Sequence, residues 1–216
     1  MIEFNKVSVN RDNNRGIHDI SFNIKAGRFV YLMGPTGAGK STIIKAIQRS
    51  IKIDSGKIIV NDQDISCLSK KTLAHYRRNI GMIFQDFKLL NDRTIFENVA
   101  LPLQIIGYEY SKIYEKVKEI LKKVGLENKN EMNPLELSGG EQQKVCVARA
   151  LVKNPKIIVA DEPTGNLDPS SSDDIIDLLE EESKLGTTII MATHNYPLIE
   201  NRIEHFIELN DGRTIS

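Results

Sequence analysis

Apolar positions in this chain follow two rhythms, and the change between them marks out its elements. Ile20, Phe22 and Ile24 alternate with Ser21, Asn23 and Lys25, which predicts a strand with one buried face. Ile2-Glu3-Phe4 is also strand-like. Ala26-Gly27 turns the chain into Phe29-Val30-Tyr31-Leu32-Met33, a continuous apolar run suited to a strand buried on both faces. Ile43, Ile44 and Ile47 follow at helical spacing, so strand, glycine-rich segment and helix occur in that order. Between Ser69 and Leu126 the character changes. Strand-like residues 80–84 interrupt two helical regions, and Ile113, Val117, Ile120, Leu121 and Val124 mark one apolar face. A helical subdomain is expected there, approximately residues 86–145, inside a single domain of residues 1–216. Residues 128–133 are polar and loop-like, and Pro134 blocks a helix from running on. The remainder alternates: strand at 157–160, helix at 175–185, strand at 187–192, a short stretch from Pro197, and strand at 203–209. That order predicts a parallel α/β core, and Asn210-Asp211-Gly212-Arg213 predicts a turn into a small terminal strand.

Composition adds limits. A chain of 216 residues fits one domain or two tightly joined subdomains. Lysine plus arginine equal aspartate plus glutamate at 29 each, which argues against a protein that wraps nucleic acid by bulk charge. Cys67 and Cys146 have no metal-type spacing and read as buried free thiols of a reducing compartment. No basic segment followed by an apolar stretch opens the chain, and its apolar runs fall far short of the roughly 20 residues a membrane helix needs. A soluble, cytoplasmic protein is expected, so work on a membrane would require a partner. The basic stretch 70–78 reads first as a solvated helix face, with lipid headgroups as the alternative.

Three motifs carry chemistry. Gly34-Pro35-Thr36-Gly37-Ala38-Gly39-Lys40-Ser41-Thr42 fits the pattern of a phosphate-cradling loop in full. Its backbone N–H groups would curl around phosphate oxygens, Lys40 would reach the outer phosphates, Ser41 would ligate Mg²⁺ and Thr42 would hold phosphate. The apolar run 157–160 ends in Asp161 and Glu162, and adjacent carboxylates at a buried strand end imply a nearby cation. The blander reading is that Glu162 caps the next segment. Leu137-Ser138-Gly139-Gly140 opens a predicted helix through Val145, Ala148 and Leu151, giving an anion-binding N-terminus or an ordinary Ser cap closed by Glu141.

Taken together in this order and spacing, these motifs resemble the ATP-binding cassette (ABC) proteins over essentially the whole chain. The resemblance implies an α/β fold of the P-loop NTPase, ABC nucleotide-binding type: a RecA-like parallel-sheet core, an antiparallel β subdomain and a helical subdomain. It implies ATP and Mg²⁺ as cofactors and ATP hydrolysis as the activity. Asp161 would then hold the metal through water, and Glu162 would polarise the attacking water. Gln85 would contact metal and water at the hinge to the helical subdomain. His194, after Met191-Ala192-Thr193, would sense the γ-phosphate, and Asp168 in Asn166-Leu167-Asp168 would cross a dimer interface. Ser138, Gly139 and Gly140 would meet the γ-phosphate held by the other subunit, so ATP would join a head-to-tail homodimer. One element departs from the family pattern. The aromatic that stacks on adenine has no counterpart in residues 9–15, and Arg11 is expected to lie over the base instead, or else to be a solvated loop arginine.

Residues 80–86, 89–94 and 98–103 narrow the resemblance to the branch of the family that serves bacterial cell division, and 137–143, 162–168 and 191–195 agree with it. That branch implies a membrane partner docking near Phe87, Leu89 and Leu90. It also implies attachment to the inner face of the cell membrane and control of cell-wall hydrolases by ATP-driven closure. ATPases for lipoprotein release or macrolide export share the chemistry and are the alternative. A DNA-repair ATPase would need a coiled-coil insertion and a translation factor a second cassette, and neither is in the sequence. Lys40, Asp161, Glu162 and His194 together argue against a non-hydrolysing scaffold.

Overall fold

The computed structural model describes residues 2–10, 16–202 and 205–215. Two sheets organise them. In the first, β1 (Ile2–Asn10), β2 (Gly16–Ile24), β4 (Ser55–Val60) and the short β5 (Gln63–Asp64) pair antiparallel in the order β2-β1-β4-β5. In the second, β3 (Phe29–Met33), β6 (Ile80–Phe84), β7 (Ile157–Asp161), β8 (Thr188–Thr193), β9 (His205–Asn210) and β10 (Arg213–Ile215) run in the order β10-β9-β3-β8-β7-β6. All its pairings are parallel except the terminal β9–β10 hairpin.

Strand periodicity splits the core in two. Successive side chains of a strand point to opposite faces, and in β3 and β8 both faces are covered, so residues 29–33 and 189–192 are apolar without interruption. Phe29, Tyr31, Ile158, Ala160, Ile189 and Met191 pack on one side with helices α3 (Ile95–Ile105), α4 (Tyr110–Lys123), α5 (Gly139–Leu151) and α6 (Pro169–Lys184). Val30, Leu32, Ile157, Val159, Ile190 and Ala192 pack on the other, with α1 (Lys40–Ile47) and the antiparallel sheet through Ile2, Phe4, Ile20 and Ile58. Tyr76 of α2 (Lys70–Arg78) joins this second core, and its hydroxyl donates to Ile47 O.

Several expectations shift. Helix α6 begins six residues before the apolar periodicity does, because Asp168 caps it and Pro169 presets its first turn. The last parallel strand is seen from His205, and Ile203 lies outside the described residues. Cys146 is buried, but Cys67 is exposed, contrary to the reading of both as buried thiols, since it sits in the polar connection between β5 and α2 and not in a helix.

Candidate active site

Strand register builds the site. Met33 pairs with Thr193, and Phe84 with Asp161, so Gly34, Gln85, Glu162 and His194, the residues that leave these four strands, emerge along one carboxyl edge of the sheet. In open parallel sheets that edge is where ligands bind. Residues 34–39 leave β3 as a tight loop that needs glycine at two points for stated reasons. A Cβ on Gly34, at φ 143°, would lie 2.2 Å from Leu209 O, and one on Gly39, at φ 105°, would lie 2.7 Å from the Ile17 side chain. The loop delivers Lys40 to the first turn of α1, where it is only 4% exposed. Its Nζ donates to Gly34 O at 2.7 Å and Pro35 O at 3.2 Å, so the loop's own carbonyls hold the ammonium over the phosphate cradle.

Two carboxylates face it. Ser41 Oγ donates to Asp161 Oδ1 at 3.0 Å. Burial pushes the Asp161 carboxyl above its usual range, opposed by that hydrogen bond and reinforced by the neighbouring Glu162 charge. Glu162 stands at φ 48°, in the left-handed region, with its N–H bonded to Ala192 O at 3.0 Å. Its Oε1 lies 3.5 Å from Lys40 Nζ and its Oε2 is 2.7 Å from Nδ1 of the exposed His194. Glu162 therefore bridges the phosphate-loop lysine and the histidine that follows β8, and it is not a helix cap. Thr36, Ser41, Gln85, Asp161, Glu162 and Asn166 line a cleft of about 570 Å³ at this point.

Gln85 joins the cleft through Asn166. Its Nε2 donates to Asn166 Oδ1 at 3.4 Å, and Asn166 Nδ2 returns a bond to Gln85 O at 3.2 Å. A Cβ on Gly165 would come within 2.7 Å of the same amide nitrogen, so the glycine makes room for it. Asn166 was visible in the sequence only as a neighbour of Asp168. Its role as the partner of Gln85 depends on a contact across 81 residues of chain.

Among the described residues, the remaining predicted ones make no bond to this cluster, although a Cβ on Gly139 would lie 3.9 Å from Asn166 O. Ser138 caps α5, accepting from Glu141 N at 3.3 Å while Glu141 Oε2 accepts from Ser138 N at 3.1 Å. Asp168 caps α6, accepting from Ser171 N at 3.0 Å and Ser171 Oγ at 2.6 Å, which holds its carboxyl below the usual range. These two helix starts touch each other, since a Cβ on Gly140 would lie 2.5 Å from Ser171 Oγ. Among the described residues, no hydrogen bond or ion pair joins Ser138, Gly139, Gly140 or Asp168 to Lys40, Ser41, Asp161 or Glu162. Arg11 lies outside the described residues. Of the proposed docking residues, Phe87 and Leu89 are half-buried against the core, and only Leu90 is exposed.

A hard divalent cation suits Ser41 and Asp161: a hydroxyl beside a carboxylate whose burial leaves its charge undercompensated. Among the described residues, no group of three or more histidine, cysteine or acidic side chains could cage a metal. The oxygen donors of Ser41 and Asp161 are of the kind an ion that keeps waters and takes phosphate oxygens would use.

Residues 17–165 match the ABC transporter family. A bacterial ABC transporter cassette solved as a dimer superposes with a TM-score of 0.88 at 35% identity, covering 100% of this chain and 97% of that one. A post-hydrolysis state of such a cassette, bound to ADP and Pi, superposes at 0.87 with 34% identity, covering 100% and 97%. The chain belongs to the ABC transporter family, and it is an ATPase of the cassette type. Narrower likeness comes from the cell division ATP-binding protein FtsE of Bacillus subtilis, 46% identical over 92% of this chain and 87% of that protein. FtsE of Streptococcus pneumoniae is 43% identical over 100% of this chain and 94% of its own length. Within the cassettes, this chain is therefore of the FtsE group.

Proposed function

We propose that this ATPase works in cell division as the nucleotide-driven half of a complex with an integral membrane protein resembling FtsX, passing ATP-dependent closure across the membrane to regulate septal peptidoglycan hydrolysis. Among the described residues no helix is long and apolar enough to span a bilayer, so a partner would hold the protein at the inner face of the membrane. The observation that carries the mechanism is the division of the site. Lys40 pairs with Glu162 and Ser41 bonds Asp161, whereas Ser138 and Asp168 cap helices and bond to none of these four. A second copy arranged head to tail would bring its Ser138, Gly139 and Gly140 to the phosphates held by Gly34–Thr42 of the first.

In the proposed cycle ATP takes Lys40 from the carbonyls of Gly34 and Pro35, and the N–H groups of 37–42 hold the β- and γ-phosphates. Glu162 orients the attacking water and accepts its proton, for which its reach and position suit it. His194, now on Glu162, turns to the γ-phosphate, and Gln85, which lines the same cleft, places the water. Ser41 and Asp161 would hold Mg²⁺, which would neutralise charge on the phosphates.

The test is recovery of tagged Glu162→Gln from solubilised membranes of the source cell in Mg-ATP. A small permease-like protein with a large outer loop, recovered with division factors, is the expected result. Leu90→Asp should abolish that recovery while leaving ATP binding intact. A transporter subunit with a lipoprotein-release or drug-export partner would overturn the division role and leave the ATPase mechanism standing.

A further inference from the structure

Three side chains on one face of α5 grip the backbone beside Gln85. Gln143, Cys146 and Arg149 recur at intervals of three residues, so they stack along the helix. Gln143 Nε2 donates to Phe84 O at 3.3 Å, and Cys146 Sγ donates to Phe87 O at 3.0 Å. Arg149 spans two carbonyls, with Nη2 on Phe87 O at 2.8 Å and Nη1 on Lys88 O at 2.7 Å. Every acceptor is a main-chain carbonyl of the segment that carries Gln85. Among the described residues Arg149 makes no ion pair, so the groups it serves are these carbonyls.

The gripped backbone is unusual. Phe87 and Lys88 adopt φ of 53° and 50° in succession, and neither is glycine. A left-handed residue with a side chain is disfavoured, and a pair in sequence persists only where the surroundings over-determine it. The planar guanidinium fork, with donors spaced to meet two oxygens at once, supplies that constraint.

We infer that Arg149 is a positioning residue for hydrolysis: by clamping Phe87 O and Lys88 O it pins the left-handed pair and aims Gln85 into the cleft beside Asp161. The same helix starts at Ser138–Gly140. A displacement of that helix N-terminus as it engages nucleotide in a second copy moves Arg149, and the Gln85 segment moves with it. This rests on the reading of Gln85 as a residue that places the attacking water.

The test is a mutant cycle on the full chain, with melting curves confirming the fold. Arg149→Ala should lower kcat by about tenfold while changing the KM for ATP less than about twofold, since aim and not ground-state binding is lost. Lys88 is exposed, and glycine there tolerates φ near 50° without support. On a Lys88→Gly background the loss from Arg149→Ala should shrink to about threefold or less. If Arg149→Ala does not fold, Arg149→Met, which keeps much of the side chain's length but has no N–H donor for either carbonyl, takes its place in the same cycle with the same signs. Equal losses on both backgrounds, a loss carried in KM, or an unchanged kcat overturns the inference. Gln85→Ala separates the two readings. If it leaves kcat unchanged, the water-placing role of Gln85 fails and takes this inference with it. If it lowers kcat while the Arg149 variants do not, only the inference fails.

Discussion

Asp161 shows what a single residue gives up to serve the site. It ends a buried strand and is desolvated with Glu162 beside it, and the one hydrogen bond from Ser41 does not offset this. Its folded pKa lies above the ordinary aspartate value of 3.8, so the folded protein holds the proton more tightly than the unfolded chain. Stability of the nucleotide-free protein therefore falls as pH rises from that ordinary value through the raised one. Asp161→Asn should melt at higher temperature than wild type at about pH 7, with the difference vanishing once both states are protonated in acid. Mg-ATP should reverse the order, raising the melting point of wild type more than that of the variant. A variant that melts lower at neutral pH without nucleotide would contradict this account. Glu162 carries a related cost, because a non-glycine residue in the left-handed region is strained by about 1–3 kcal/mol. Its N–H on Ala192 O and its carboxylate between Lys40 and His194 keep it there.

Among elements, the contact between α5 and α6 ties together the helix starts capped by Ser138 and Asp168. Gly140 has no Cβ because Ser171 occupies that space, with its own Cβ 2.9 Å from the position a new one would take. The glycine is thus required by packing within the chain, whatever its amide does toward phosphate. Gly140→Ala should force the helices apart and destabilise the protein by about 1–3 kcal/mol, the usual cost of overpacking. Ser171→Gly in the same chain should restore part of the melting temperature, although it also removes the hydroxyl that Asp168 accepts from. Purely additive losses in the double variant would mean that Ser171 is not the obstacle. Helices α3 and α5 also carry complete capping boxes, Thr94 with Glu97 and Ser138 with Glu141. Each box satisfies two N–H groups that a helix start otherwise leaves bare.

For the whole molecule, the proposed mechanism has two copies complete each other's site. Glu162→Gln, which keeps the shape of the base but removes its ability to take a proton, should elute as a dimer with saturating Mg-ATP and as a smaller species without nucleotide. A variant still monomeric under saturating Mg-ATP would remove the shared-site mechanism. What the chain could announce by local pattern follows from contacts between near neighbours. The phosphate loop, the Asp161-Glu162 strand end and the Ser138 helix start are each written within ten residues, and continuous apolar runs placed β3, β6, β7 and β8 around them, whereas β4 and β5 show no such pattern and are not predicted from it. What it could not announce are arrangements formed between distant segments. The Asn166 partner of Gln85 lies 81 residues away, and the carbonyls held by Arg149 lie 61 and 62 residues away. The exposure of Cys67 and the burial of Phe87 and Leu89 likewise depend on which surface meets which. By itself the sequence determined the class of chemistry, because phosphate binding needs short-range backbone geometry that particular residues permit. Only the tertiary structure decided how the pieces are aimed, because aim depends on sheet register and helix packing between segments that no local pattern relates.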